Sequence, residues 1–457
     1  MDLLQSIPLI GPLLGWVLPF LIVLSIVVAI HELGHLMVGR WCGIKAEVYS
    51  IGFGKVIWSR TDKHGTVWQL ALLPLGGYVK FLGDMDPASA GQVDDSEIPP
   101  EERRHAFHNA ALWKRTLTVL AGPVANFILS IVVIAGLALY IGKGSSEPVI
   151  GDLGDLTEEQ TEFRIGDRVM SIDGEPTETF VDILETLIQA RGEPVEVVVE
   201  RENGQQAFTT RYRTAPRIAD ISFDGAAIRA GLQPGDLVMD INGRAINSAD
   251  QLQIMMTELQ TNEEIEIKID RQGKLRVFNF VPDVKEREHP VTNEIVPLPT
   301  MGVLLDTSSG LSPERVAASP IEALEAGVYR VGYVIERTVS FIYAIFFKGA
   351  DTSSLSGPIG IAKHSTAAAE RGVVDFIHFI AFLSTAIGLF NLFPIPILDG
   401  GHLTFYLVEA LRGKPTNDAV VRYSMMAGLS LLLMLMVFVT FHNDLGLGEW
   451  YASRISQ

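Results

Sequence analysis

Cysteine is almost missing from this chain: among 457 residues there is one, Cys42. An intrachain disulfide is therefore excluded, and cysteine usage says nothing about redox compartment. Cations are outnumbered, with 36 Lys and Arg against 54 Asp and Glu and a formal net charge of -18. That balance lacks the basic face that nucleic-acid binding requires, so no nucleic-acid partner is expected. No Lys or Arg precedes Arg40. The N-terminus thus has no cationic leader region, and its apolar stretch runs on without a small-residue cleavage site. It predicts a retained membrane helix instead of a removed signal.

What is plentiful is apolar surface. Hydrophobic residues make up 48% and charged residues 20%, and the mean hydropathy is +0.27. The mixture suits membrane spans joined to soluble modules. Four segments, near residues 13–38, 116–141, 373–393 and 425–441, are long and apolar enough to cross about 30 Å of hydrocarbon. Basic residues crowd the loop after the first span, from Arg40 to Arg115, and the short loop after the third, with Arg412, Lys414 and Arg422. The positive-inside rule then makes both loops cytoplasmic. Both termini and the long region between spans two and three fall outside.

That outer region repeats itself. Ile165–Gly174 (IGDRVMSIDG) matches Pro234–Gly243 (PGDLVMDING). Each copy continues into a helical pattern, Phe180–Ala190 and Ala249–Leu259. Each then has an alternating strand, Val195–Arg201 and Ile265–Arg271, and a turn at Gly204 and Gly273. Two copies of one small α+β module are the economical reading. Gly231-Leu-Gln-Pro-Gly-Asp followed by an Ile-Asn-Gly turn resembles the PDZ domain, and the first copy resembles it more loosely. Residues 319–348 form a helical pattern interrupted by Glu322, Glu325, Arg330, Glu336 and Arg337. Its uncharged run is too short to cross, which predicts an amphipathic helix lying at the outer interface. Residues 49–80 alternate like strands around Asp62-Lys-His-Gly65, predicting a hairpin pressed into the inner leaflet and shielded by protein. Gly52-Phe-Gly54 reads equally as the start of that hairpin or as a simple turn. The expected fold is a polytopic α-helical membrane protein with a membrane-associated β-hairpin and two inserted PDZ-like α+β modules. The expected boundaries are 1–144, 145–216, 217–310, 311–370 and 371–457.

His31-Glu32-Leu33-Gly34-His35 fits the H-E-x-x-H pattern of zinc metalloproteases. On a helix, residues four apart share a face, so both imidazoles reach one ion. Glu32 stands beside them, placed to take a proton from water. An ionisable group in an apolar span costs roughly 3 kcal/mol on insertion scales. Three such groups in one short stretch make little physical sense without a shared partner. A catalytic zinc site needs a third protein ligand. Asp399, at the end of Asn391–Gly401 (NLFPIPILDGG), is the main candidate, because Pro394 and Pro396 break the helix there and irregular backbone at membrane depth must border a cavity. His402 is the rival. His364 and His378 have no companion motif and read as ordinary loop or interface residues. Asn126 reads equally as facing the site or as a helix-packing polar residue. Cys42 reads as a small packing residue.

These motifs, in this order, resemble the site-2 protease family of intramembrane zinc metalloproteases. The resemblance rests on HELGH, Ala121–Phe127 (AGPVANF), Leu73–Tyr78 (LPLGGY), Ser356-Gly-Pro-Ile359 and Asn391–Gly401. The two outer modules add likeness to its bacterial sigma-factor-regulating members. The resemblance implies zinc held by His31, His35 and Asp399, Glu32 as the catalytic base, and Asn391 in substrate handling. Some relatives carry a second Asn where this chain has Ala386, so that role is not carried over. It further implies a zinc metalloendopeptidase of the bacterial inner membrane, with termini and modules on the periplasmic side. Its substrates would be pre-trimmed single-pass membrane proteins such as an anti-sigma factor, and the modules would filter or read them. A segment near Trp68–Leu72 would add the unwound substrate as a strand. The competing readings are a non-enzymatic PDZ-bearing receptor or scaffold, which an altered H-E-x-x-H would favour, and a zinc transporter, which wants polar residues along several spans.

Overall fold

The computed structural model describes residues 11–83, 98–154, 161–190, 194–210, 216–221, 225–233, 235–246, 248–271, 274–288, 295–305, 310–348 and 356–441. Pro234 and Gly273 of the second repeat, and both chain ends, lie outside that set. The described residues divide into two compact units, one drawn from residues 11–140 and 318–441 and the other from 141–317.

The first unit contains helices α1 (Gly11–Trp41) and α2 (Leu112–Ile141). It continues with α3 (Pro320–Lys348), α4 (Pro358–Arg371), α5 (Val373–Asn391), α6 (Asp399–Arg412) and α7 (Asp418–Val439). Among the described residues, four helices (α1, α2, α5 and α7) are long and apolar enough to cross a membrane, as the hydropathy reading expects. From Val17 to Ile30 every residue of α1 but Ser25 is apolar, the pattern of a helix with no aqueous face. Val23 and Val27 are buried against Ile380 and Leu383 of α5, while Leu18, Ile22 and Ile26 stay exposed. Helices in lipid approach closely where side chains are small. Gly34 is such a point: a Cβ there would lie 2.4 Å from the Ala121 carbonyl oxygen of α2. Helix α3 is not among the four crossing candidates, in keeping with the charges that interrupt it.

Between α1 and α2 lie two long strands, β1 (Ala46–Thr61) and β2 (Val67–Phe81). The hairpin folds back on itself. Val48–Ile51 pair with Gly77–Lys80 on one side and with Val67–Leu70 on the other, and Trp58–Thr61 also pair with Val67–Leu70. The four segments therefore run in the order 77–81, 46–51, 67–71, 56–61. The bend falls at Gly52 and Gly54, whose φ angles of 90° and 86° are in the left-handed region that glycine tolerates. Two-sided burial fixes one end: Tyr49, Ala46 and Phe81 pack with Leu36, Cys42 and Ile44 at the end of α1. Asp62 secures that same end, where Thr61 and Val48 both pair with Val67, accepting from the Arg40 guanidinium, the Trp68 indole at 2.9 Å and the His64 and Thr66 amides. Burial alone would push the Asp62 carboxyl up, but these donors together hold it well below the usual carboxylate range. The far end is bare: Phe53, Ile57, Trp58, Leu72, Leu73 and Leu75 are exposed.

The second unit contains two copies of a four-stranded sheet. The first has the order 175–176, 168–172, 195–201, 204–210; the second has 244–245, 237–241, 265–271, 274–280. A ten-residue helix packs on each, Phe180–Gln189 and Ala249–Glu258, and the second copy adds a short helix, Ala226–Ala230, whose Ala227 joins its core. Strand alternation explains the cores: Val195, Val197 and Val199 point inward in one, and Ile265, Ile267 and Ile269 in the other. The shared Ile-Asp-Gly and Ile-Asn-Gly motifs are two-residue hairpin turns. Asp173 and Asn242 sit at φ 50° and 53°, each followed by a positive-φ glycine, as turns matched to strand twist require. Each copy also buries one aspartate, Asp167 and Asp236, against an arginine at 2.6 Å, Arg201 and Arg271. Each guanidinium lies over a Phe, Phe208 and Phe278. These carboxylates raise both guanidinium pKa values further. The first module is not contiguous. Ser312–Pro313 pair with Ile150–Asp152, Arg315–Val316 pair with Lys143–Gly144, and Leu311 is buried in the first module's core. Residues 311–316, read from the sequence as linker, thus complete the first module after the second has been inserted into it.

Candidate metal centre

Periodicity places His31 and His35 on one face of α1, and Asp399 arrives as the first residue of α6. Pro394 and Pro396 stop α5 from continuing, so the chain turns after Asn391. Gly400 and Gly401 let α6 start against the turn: Cβ atoms there would lie 2.2 Å from the Phe393 carbonyl and 2.4 Å from the Ile395 carbonyl. The outcome is a triangle. His31 Nε2 is 3.1 Å from His35 Nε2 and 3.1 Å from Asp399 Oδ2, and His35 Nε2 is 3.5 Å from that same oxygen. Among the described residues these three are the group of His, Cys, Asp or Glu side chains whose ligand atoms converge. Their side chains are 9%, 12% and 17% exposed, so the cluster is enclosed.

A cation fits this set. Ligands about 2.0–2.1 Å from a tetrahedral zinc ion stand about 3.4 Å apart, and two imidazoles with a carboxylate are a catalytic zinc donor set. Asp399 Oδ2 is buried without a hydrogen-bond partner, a costly state unless something positive faces it. The other ring nitrogen of His35 meets the Thr118 carbonyl at 2.8 Å. A carbonyl only accepts, so His35 carries its proton on Nδ1 and turns the Nε2 lone pair inward. The back wall is Gly122 of α2, where a Cβ would lie 2.3 Å from His35 Nε2 and 2.8 Å from His31 Nε2.

Glu32 points to the hairpin. Its Oε2 accepts from the Val79 amide at 3.1 Å. Val79 belongs to segment 77–81, an edge of the folded hairpin, so the strand edge nearest the cluster touches the glutamate directly. Within the segment near Trp68–Leu72, residues Val67–Leu70 are not a free edge, because each pairs on both sides, Trp68 with Tyr49 and Arg60; the fold-back closes that stretch to strand addition. Asn391 is the last residue of α5 and half-buried. His402 lies in the first turn of α6, outside the convergent triad. His364 and His378 lie on helices α4 and α5, not in loops, with His364 3.3 Å from the Ser356 hydroxyl. Motif reading alone assigned no part to Gly122, Thr118 or Val79. Their backbone or missing side chain does the work, which leaves no residue-type signal. Arg115 also escaped it: its guanidinium grips Glu409 of α6 at 2.7 and 3.3 Å and lies over Tyr406. It thereby ties the helix that begins with Asp399 to α2.

Two imidazoles and a carboxylate meeting among membrane-type helices, beside a glutamate, define the class of membrane-embedded zinc hydrolases. The chain belongs to peptidase family M50, the site-2 protease family, whose profile matches residues 19–435, and it is a zinc metalloprotease. A protein of Agrobacterium fabrum provisionally named a zinc metalloprotease is 34% identical over 95% of this chain and 96% of its own length. The regulator of sigma-E protease RseP of Salmonella typhimurium is 30% identical over 93% of this chain and 97% of its own. A solved PDZ domain of an SdrC-like protein from Listeria monocytogenes covers 21% of this chain and 90% of its own, at 16% identity and a TM-score of 0.17. That likeness is too slight to bear on the fold.

Proposed function

We propose that this protease hydrolyses a peptide bond within or near the transmembrane segment of a membrane protein that an earlier cut has shortened. The observation that carries the reading is the convergence of His31, His35 and Asp399 beside Glu32, with both histidines on a helix long and apolar enough to cross a membrane. His31, His35 and Asp399 are the ligands, and zinc supplies Lewis-acid polarisation of water and of the scissile carbonyl when bound. Glu32 takes the proton of the attacking water and returns it to the leaving amine. Asn391 donates a hydrogen bond to substrate backbone or to the developing oxyanion. A substrate helix hides its carbonyls in its own bonds and must first unwind. The edge at residues 77–81 receives the extended segment by strand addition once the Val79 amide exchanges Glu32 for substrate backbone, which frees Glu32 and delivers the segment beside it.

By the charge rule the hairpin lies on the cytoplasmic side of a bacterial inner membrane, and the two modules, read as PDZ-like, lie in the periplasm. The division is 1–144, 145–216 completed by 311–316, 217–310, a helix at the outer interface within 317–370, and 371–457. The relative named as a regulator of sigma-E protease supports an anti-sigma factor as substrate and a role in envelope stress.

The test uses purified full-length protein and a model single-span substrate. Glu32→Gln keeps its zinc and loses cleavage, because Glu32 acts on water and not on metal. Wild-type turnover by that variant would remove Glu32 from the role of base. Asn391→Ala lowers cleavage with zinc intact; loss of zinc would move Asn391 into the metal shell. Intact protein that holds zinc yet cleaves no membrane substrate would favour a scaffold or a transporter.

A further inference from the structure

Asn126 lies in the middle of α2 and is completely buried. Its position is clamped from two helices. Ser384 donates its hydroxyl to the Asn126 main-chain carbonyl at 2.9 Å, and the Ser130 hydroxyl shares its one proton between that carbonyl at 3.0 Å and the Ala381 carbonyl at 2.8 Å. Gly388 of α5 leaves room beside it, since a Cβ there would stand 3.1 Å from Asn126 Cβ. The side chain so held ends 3.2 Å from His31 Nδ1.

The two ends of an amide are told apart only by their hydrogen bonds. As placed, the Asn126 nitrogen faces His31 Nδ1 and Oδ1 is left buried without a donor. That orientation makes Nδ1 the acceptor and puts the His31 proton on Nε2. Nε2 is the atom that points at His35 Nε2 and Asp399 Oδ2, and a protonated nitrogen cannot bind a metal. Turning the amide by half a revolution places Oδ1 against Nδ1. His31 then donates from Nδ1, and its Nε2 lone pair faces the cluster, as the Thr118 carbonyl already arranges for His35.

We infer that Asn126 is a positioning residue for the metal ligand His31: its side-chain carbonyl accepts the Nδ1 proton and fixes the ring in the tautomer that binds zinc. The inference rests on His31 being a ligand. It also decides between the two readings of Asn126 left open by its sequence, since a residue that only packed helices would not need an acceptor at this atom.

The experiment measures zinc affinity by chelator competition on purified full-length protein, with thermal unfolding of the zinc-free form beside it. Variants are Asn126→Ala, Asn126→Leu, Asn126→Asp and His31→Ala. Ala and Leu remove the acceptor and weaken zinc by about 10–100-fold, the range for outer-shell partners of zinc histidines. Asp, which has the shape of Asn and only acceptors, stays within a few-fold of wild type. The backbone clamp survives all three, so zinc-free unfolding moves far less than zinc affinity does. Wild-type affinity in both Ala and Leu overturns the proposal. So does an Asp variant as weak as Leu, which would mean the amide donates to His31 as placed. Wild-type zinc binding in His31→Ala overturns the ligand reading itself, whereas zinc loss there with full affinity in Asn126→Leu overturns the role of Asn126 alone.

Discussion

Replacing Gly122 by alanine puts one methyl group into the space where the ligand atoms converge. The new Cβ would lie 2.3 Å from His35 Nε2, 2.5 Å from His35 Cε1 and 2.8 Å from His31 Nε2, where ordinary contact begins at 3.4 Å. Relief requires a shift of about 1.1 Å, the difference between 3.4 and 2.3 Å. Zinc–ligand distances tolerate only about 0.2 Å. The His35 ring cannot simply swing away, because its Nδ1 is held by the Thr118 carbonyl at 2.8 Å. The helices cannot easily close elsewhere, because Gly34 already brings α1 onto the Ala121 carbonyl. Overpacking of this kind costs about 1–3 kcal/mol, which a well-packed helical unit can survive. The metal site does not: zinc affinity falls by more than about 100-fold, beyond the usual loss from an outer-shell change. The assay is zinc per chain by elemental analysis, followed by chelator titration, with circular dichroism to establish that the helices persist. Gly136→Ala is the matched control on the same helix, because nothing lies within 4 Å of its added Cβ; its zinc affinity stays at the wild-type value. A folded Gly122→Ala protein that binds zinc as wild type does would refute the placement of the metal between α1 and α2.

Asp399→Ala loses zinc to a greater degree than His402→Ala, because Asp399 Oδ2 lies within 3.1 and 3.5 Å of the two imidazole nitrogens; the opposite ranking in metal content would transfer the third ligand to His402. Excising residues 145–314 and joining Gly144 to Arg315, which are strand partners in the full chain, leaves zinc content unchanged. The excised enzyme cleaves model spans with bulky outer domains better than the full chain does. Equal discrimination by the two enzymes would place the filter outside the modules.

Much of the site is written in local pattern. The four-residue spacing of His31 and His35 becomes a shared helix face through nothing more than 3.6 residues per turn. Hydropathy marks the four spans, because a helix surrounded by lipid must be apolar on every side. Strands 195–201 and 265–271 coincide with their alternating patterns, since one face of each is buried. Asp399 was legible from the two prolines before it, because broken backbone in a membrane needs a protein-lined cavity.

The remainder depends on contacts between segments far apart in the chain. Residues 311–316 return to complete the first module, and pairings of two residues carry no periodicity that a reader could detect. The hairpin doubles back at Gly52 and Gly54, which sets the strand around Trp68 between two neighbours and leaves residues 77–81 as the edge touching Glu32. A strand's own residues record which face is apolar, but not which neighbour takes its hydrogen bonds. Gly122 earns its place by the side chain it lacks, and Thr118 and Val79 act through backbone atoms that every residue possesses. Residue type therefore names the groups that can bind a metal or move a proton, while the space they enclose and the tautomers they hold are settled by packing α1 against α2 and α6.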